Sequence, residues 1–199
     1  LRDLVPFLLR YEVPRYDVDL HRALNAFIEL VHAADATEPK ITRYLKENPE
    51  ILQLAFGCHE LNAETDLEWQ YETDREDLRP DFMPVKMDGF ADIVEFKLPW
   101  LKGKPVVGPA TRTKPSAEVD TALAQIDEYE EWCAQDVNRR WLEEEKGIRV
   151  HAPMTYLVIG HRNEFTAEDR QRFRKRRNAI IVTYDEFVEM ARMHLYRMR

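Results

Sequence analysis

The sequence predicts an α/β protein built on a mixed sheet flanked by helices, and three observations carry that expectation. Apolar positions recur at helical spacing near the start, alternate around residue 67, and return to helical spacing after residue 116. Met154 to Gly160 is an almost continuous apolar run, the mark of a strand covered on both faces. The chain then closes on strand, helix, strand and helix, and two such strands joined by a helix imply a parallel, right-handed crossover.

The first helix spans about Asp19 to Ala34, with Leu20, Ala23, Leu24, Phe27, Ile28 and Val31 on one face. Thr37 is placed to cap the next helix, since Pro39 is tolerated in a first turn. Ile41, Tyr44 and Leu45 form the buried stripe of that helix. Asn48-Pro49 ends it, because proline disfavours the α conformation in the residue before it. A short helical turn from Glu50 to Phe56 follows. Leu67, Trp69 and Tyr71 alternate with polar residues and predict a half-buried strand. Phe82 to Lys86 and Phe90 to Lys97 predict a hairpin around Met87-Asp88-Gly89. Leu98 to Pro115, rich in Pro, Gly and Lys, predicts a surface loop. Ser116 to about Lys146 predicts one long helix, on Val119, Leu123, Ile126 and Cys133, stopped by Gly147. Thr166 starts a helix with Asp169 in a capping-box place, Ala179 to Thr183 forms a buried strand, and Asp185 caps a last helix through about Met198.

At 199 residues the chain suits one domain with an appended segment, divided as a helical extension, 1–35, and a main domain, 36–199. No apolar run has the length of a membrane span. The chain opens on Leu1 rather than Met, so it reads as a piece of a longer protein whose missing N-terminal region is a candidate regulator. Cys58 and Cys133 are too few for a disulfide framework or a zinc site; they read as reduced thiols of a cytoplasmic protein. The net charge of -8 counts against a nucleic-acid partner, but its distribution does not. Between Leu98 and Ala117 there is no acidic residue, while Lys102, Lys104, Arg112 and Lys114 are present. A second basic cluster is Arg170, Arg172, Arg174, Lys175, Arg176 and Arg177.

The chemistry concentrates on the hairpin. Strand alternation puts Glu95 and Lys97 on one face and Asp92 on the other. A two-residue Asp88-Gly89 loop would send Asp81 to the wrong face. A three-residue loop, Met87 to Gly89, pairs Asp81 with Glu95, and this register is the one expected. Two close carboxylates repel, and a hard divalent cation such as Mg²⁺, with Mn²⁺ as substitute, removes that penalty while taking phosphate oxygens as further ligands. A neighbouring lysine can orient an attacking water or stabilise a pentavalent transition state. Gln125 and Tyr129, four residues apart on one helix face, can hold a ligand or phosphate from the adjoining helix.

Pro80-Asp81 followed by Glu95-x-Lys97 resembles the PD-(D/E)xK nucleases, and Gln125-x-x-x-Tyr129 resembles the motif that follows this site in the RecB-like branch. More narrowly, six segments resemble the nuclease domain of the Shedu family: Tyr44 to Leu52, Arg79 to Phe82, Val94 to Lys97, Ser116 to Tyr129, Ile159 to Arg162, and Val182 to Phe187. The resemblance covers roughly residues 36 to 195. It implies a restriction-endonuclease-like fold, Mg²⁺-dependent cleavage of DNA and a role in defence against phage. It also implies that Glu38 is the family's additional acidic residue. Asp81, Glu95 and Glu38 are then the metal ligands, with Lys97, Gln125 and Tyr129 completing the catalytic set. Lys102, Lys104, Arg112 and Lys114 are the expected DNA contacts. A non-cleaving DNA- or protein-binding scaffold of the same fold, or a repair exonuclease, is the alternative.

Several of these residues also have a purely structural explanation. Glu38 also favours a helix N-terminus, Tyr184 reads as packing, and His59, His151 and His161 as structural or exposed. Arg162 could hold a phosphate or merely pair with a carboxylate, and Trp100 could stack on a base or pack. Phe187, Met190, Met193 and Leu195 suit either a homo-oligomer contact or cover for the sheet.

Overall fold

A computed structural model describes residues 15–109, 112–177 and 179–197. The part of the predicted N-terminal extension before residue 15, and the end of the last helix at Met198, lie outside the described residues, as do the side chains of Lys175, Arg176, Arg177 and Leu195.

Helices α1 (Arg15–His32), α2 (Glu38–Glu47) and α3 (Pro49–Phe56) come first. Strands β1 (Glu60–Ala63), β2 (Phe82–Val85) and β3 (Ile93–Phe96) follow, then a two-stranded ribbon of β4 (Val106–Val107) and β5 (Lys114–Pro115). Helices α4 (Ala117–Ala134) and α5 (Asp136–Lys146) lead to β6 (Thr155–Val158), α6 (Ala167–Arg177), β7 (Ile180–Val182) and α7 (Tyr184–Arg197).

The main sheet has the order β1-β2-β3-β6-β7. Its first three strands are antiparallel neighbours, and β3, β6 and β7 run parallel. Helices cover both faces, so the expected mixed α/β sheet of restriction-endonuclease type is present. On one face Ile93 and Leu157 meet Leu123, Ile126 and Trp132 of α4 and Phe173 of α6. On the other, Val94, Phe96 and Val158 meet Leu24 and Phe27 of α1, Ile41 and Leu45 of α2, Leu52 of α3 and Phe187 of α7. All four residues of β3 are buried, as a central strand requires. Each apolar side chain buried here contributes roughly 1.5–3 kcal/mol before the entropic cost of ordering it.

Three expectations need correction. Residues 67–71 are not a strand. Leu67 is buried and makes one bridge to Leu78, but the next backbone donors leave the ladder. The Trp69 N–H turns to the Asp77 carboxylate (3.4 Å) and the Gln70 N–H to Asn138 Oδ1 (3.0 Å). The neighbour of β2 is instead Glu60–Ala63, whose Glu-Leu-Asn-Ala composition carries little strand propensity.

The long helix breaks at Gln135, which is extended at φ −85°, ψ 121°. The carbonyls released there are captured by side chains, Trp132 O by Asn138 Nδ2 (3.1 Å) and Cys133 O by Arg139 (2.6 Å), so the interruption leaves few orphan acceptors. Asp185 lies inside the first turn of α7 rather than capping it, and its carboxylate accepts the Arg162 N–H at 2.7 Å.

Other boundaries agree. Thr166 Oγ accepts the Asp169 N–H (3.1 Å) and donates to its carboxylate (2.8 Å), and Gly147 ends α5 in the left-handed conformation at φ 71°. Among the described residues no helix is long and apolar enough to cross a membrane.

Candidate active site

The hairpin register decides whether three charged residues meet. Phe82 pairs with Val94, and Val85 bridges Ala91. The same register places Asp81 opposite Glu95, and the turn is the three-residue Met87-Asp88-Gly89, closed by Lys86 N–H to Phe90 O at 2.9 Å. Gly89 holds φ 82°, which an L residue rarely adopts. Side chains confirm the pairing: the Phe96 N–H donates to Asp81 Oδ2 (2.7 Å), and the Asp81 N–H points to Glu95 Oε2 (3.4 Å).

Around this pair the groups are graded from interior to surface. Glu95 is 5 % exposed, Lys97 20 % and Glu38 39 %, so the site opens outward from a buried carboxylate. Lys97 Nζ donates to Glu95 Oε1 at 2.8 Å and lies 3.9 Å from Glu38 Oε2. Tyr129 OH donates to the other Glu95 oxygen, Oε2, at 3.0 Å, and Gln125 Nε2 donates to Tyr129 OH at 2.7 Å. Glu95 is thereby held at both oxygens. Helix α2 brings Glu38, helix α4 brings Gln125 and Tyr129, and the chain leaving β3 brings Lys97. The site lies at the carboxyl end of β3, where open α/β sheets characteristically bind ligands.

Electrostatics give each group a state. Burial and the neighbouring Glu95 push the Asp81 carboxyl up to about 7, against the pull of the Phe96 N–H and Lys97. Burial works against the Lys97 ammonium, but Glu95, Glu38 and Asp81 outweigh it and hold its pKa above the ordinary value. Lys97 is therefore a cation and a hydrogen-bond donor near neutral pH, not a base. Burial and Glu95 likewise raise the Tyr129 phenol, which remains a donor.

Among the described residues no three His, Cys, Asp or Glu side chains stand close enough together to hold a metal on their own. The donor set still suits a hard divalent ion that keeps most of its ligands as water and phosphate. Asp81 and Glu95 carry more negative charge than one lysine neutralises, and the Phe96 carbonyl lies between Glu95 and Lys97 in the chain. Glu38 is further out, beside Lys97.

Two contributors were missed in the sequence. Thr42 Oγ is 3.4 Å from Asp81 Oδ1, and donates to the Glu38 carbonyl at 3.0 Å; its position one turn after Glu38 was the available signal. Tyr184, expected only to pack, is buried and its OH donates to the Lys97 carbonyl at 2.6 Å. No local pattern links residues 87 positions apart.

The remaining candidates fall elsewhere. Lys102, Lys104, Arg112 and Lys114 are exposed, on the segment after Lys97, which is not the irregular loop expected but carries the β4–β5 ribbon. Gly108 in its turn has φ 100° and only 2.7 Å from a Cβ position to the Arg112 carbonyl, so no other residue fits. Arg162 pairs with Glu189 at 2.7 Å. Trp100 is half-exposed, with its ring 4.2 Å from that of His161, itself buried against Asp185. Arg170, in the second basic cluster, is mostly buried and bonded to Glu186. Cys58 and Cys133 are buried free thiols, the latter pushed up to about 12 by burial.

No curated protein matches the chain. The family described as Shedu protein SduA, C-terminal, matches residues 35–188, and the chain belongs to that family.

Proposed function

We propose that this chain is a metal-dependent DNA endonuclease that acts in bacterial defence against phage. The observation that carries the reading is the convergence of Asp81, Glu95 and Lys97 at one strand end, with Glu95 fixed by Tyr129. Membership of the Shedu family supports the defence role.

Asp81 and Glu95 would hold the metal, with the Phe96 carbonyl and, through a shift of its exposed side chain, Glu38. The chemistry supplied by bound Mg²⁺ or Mn²⁺ is neutralisation of the scissile phosphate and a more acidic water. Asp81 is aimed by the Phe96 N–H, and Glu95 by Tyr129, which Gln125 orients in turn. Lys97, protonated, donates to the attacking water or to a phosphate oxygen, where negative charge grows in the transition state. Lys102, Lys104, Arg112 and Lys114 would hold the flanking backbone by charge.

A second reading is favoured by one observation, the lack of a three-acid cluster among the described residues. In it the chain is a scaffold that binds DNA or protein without cleaving, its Glu95 permanently occupied by Lys97. We place the chain in the cytoplasm and take 1–35 as an extension to a nuclease domain at 36–199. Self-association through α7 belongs to the same proposal.

The test is cleavage of circular and linear DNA by the wild type and Lys97→Ala, with Mg²⁺, Mn²⁺ or EDTA. Metal-dependent cutting of circles that falls by about 10²-fold or more in the variant is expected. Cutting of linear DNA alone would favour a repair exonuclease, and no cutting by a folded wild type would favour the scaffold.

A further inference from the structure

A cleft of about 610 Å³ opens beside the candidate active site, and the two share Gln125 and Tyr129. Tyr129 lines the cleft while its OH holds Glu95, so whatever enters lies one side chain away from Glu95. One wall is flat and delocalised: the Arg75 guanidinium lies 5.0 Å over the Trp69 ring and is held there by Glu131 at 2.8 Å. Trp69 is itself anchored, its indole N–H on the Glu76 carbonyl (3.1 Å) and its flank in the core. The lining carries four carboxylates, Glu76, Asp77, Glu128 and Glu131, against two guanidiniums, Arg75 and Arg79.

That charge balance repels phosphate but suits a neutral group rich in N–H donors. A planar guanidinium backed by an aromatic ring is a stacking surface for such a group when it is a flat heterocycle. We propose that the cleft receives an unpaired nucleobase bearing an exocyclic amine, from the nucleotide next to the phosphate at Asp81 and Glu95; this rests on the nuclease reading. Arg75 stacks on the base, and Glu128 accepts from its amine. A base inside a duplex cannot reach such a cleft without leaving the stack. The enzyme therefore prefers strands that are single or locally unpaired.

Cytosine and thymine separate the amine from size and stacking, because both are pyrimidines and only cytosine carries the amine. Fluorescence anisotropy of labelled dC and dT decamers is measured in EDTA, where cleavage cannot interfere. Wild type should bind dC at least about 5-fold more tightly, the effect of one base-edge pairing. Glu128→Ala should abolish the preference, and Arg75→Lys, which keeps the charge but loses the plane, should weaken both. Both side chains are exposed, so folding should survive. Equal affinities, a preference that both variants retain, or no binding by the wild type would each overturn the cleft. Failure of metal-dependent cutting alone would overturn the nuclease reading and leave this result standing.

Discussion

The β2–β3 hairpin carries two acid–lysine constellations, one at each end, and they differ in how their charges balance. At the turn end, Asp92 is buried, accepts the Met154 N–H at 2.9 Å and pairs with Lys86 at 3.2 Å. Lys86 also donates to the Phe56 carbonyl at 2.8 Å and lies 5.9 Å above the Tyr156 ring. One acid meets one lysine, and both are satisfied. At the other end, Asp81, Glu95 and Glu38 surround the single Lys97. Once Asp81 ionises, two buried carboxylates face one lysine, and that surplus costs free energy without a counter-ion. The balanced pair is explained by folding alone; the unbalanced set is the one that the proposed cation and phosphate would complete.

Exchange of the two lysines is the strongest way to break this comparison. Lys97→Ala should lower cutting by about 10²–10³-fold in a chain that still folds, whereas Lys86→Ala should leave turnover per folded molecule near wild type. Equal losses in the two, normalised to the folded fraction, would remove the distinction. Asp92→Ala should act on stability instead. It leaves Lys86 facing the interior without its partner, and roughly 3 kcal/mol should be lost, toward the low end for buried pairs since Lys86 stays partly exposed. Urea denaturation reads this directly; a change below about 1 kcal/mol would make the pair ornamental.

Asp81 predicts the opposite sign. Its folded pKa lies near 7, well above the ordinary 3.8 of the unfolded carboxyl. Between those values the folded chain holds a proton that the unfolded chain has released, so stability falls as pH rises through that window. Asp81→Asn cannot suffer this loss. In EDTA it should melt a few degrees above wild type at pH 8, about 1 kcal/mol or more, and gain nothing near pH 3.5. The same variant should lose the rise in Tm that Mn²⁺ gives the wild type, because a ligand that favours the native state must stabilise it. A variant less stable than wild type at pH 8 would show that Asp81 is a structural acceptor for the Phe96 N–H and nothing more.

What was readable in the sequence divides along similar lines. The hairpin site could be read because strand alternation and turn length are local rules, and together they placed Asp81, Glu95 and Lys97 on one face. The Gln125–Tyr129 spacing was equally local, and both reach Glu95 as a chain of donors. The errors came where tertiary partners override local preference. Leu67, Trp69 and Tyr71 alternate, yet Asp77 and Asn138 take the backbone donors that a strand would need. β1 has weak propensity and is a strand only because β2 offers it an edge. Nothing periodic near Gln135 announced that Asn138 and Arg139 would cap the break. Tyr184 lay furthest from reach, since its hydrogen bond depends on a carbonyl brought to it by the β3–β6–β7 arrangement.

That carbonyl makes Tyr184 the finest test of the unbalanced end. Lys97 leaves β3 with its N–H on the Val158 carbonyl at 2.9 Å and its own carbonyl on Tyr184 OH at 2.6 Å. The ammonium thus extends from a backbone pinned on both sides. The tyrosine ring is packed against Phe27 and Phe96, so Tyr184→Phe keeps the packing and removes only the hydrogen bond. The cost to stability should be about 1 kcal/mol, that of one buried bond. If the bond serves only packing, turnover per folded molecule will not move. If it positions Lys97, kcat should fall several-fold, on the order of 10-fold at most, while KM for DNA stays unchanged. The reason is that a displaced ammonium loses its grip on charge that exists only in the transition state.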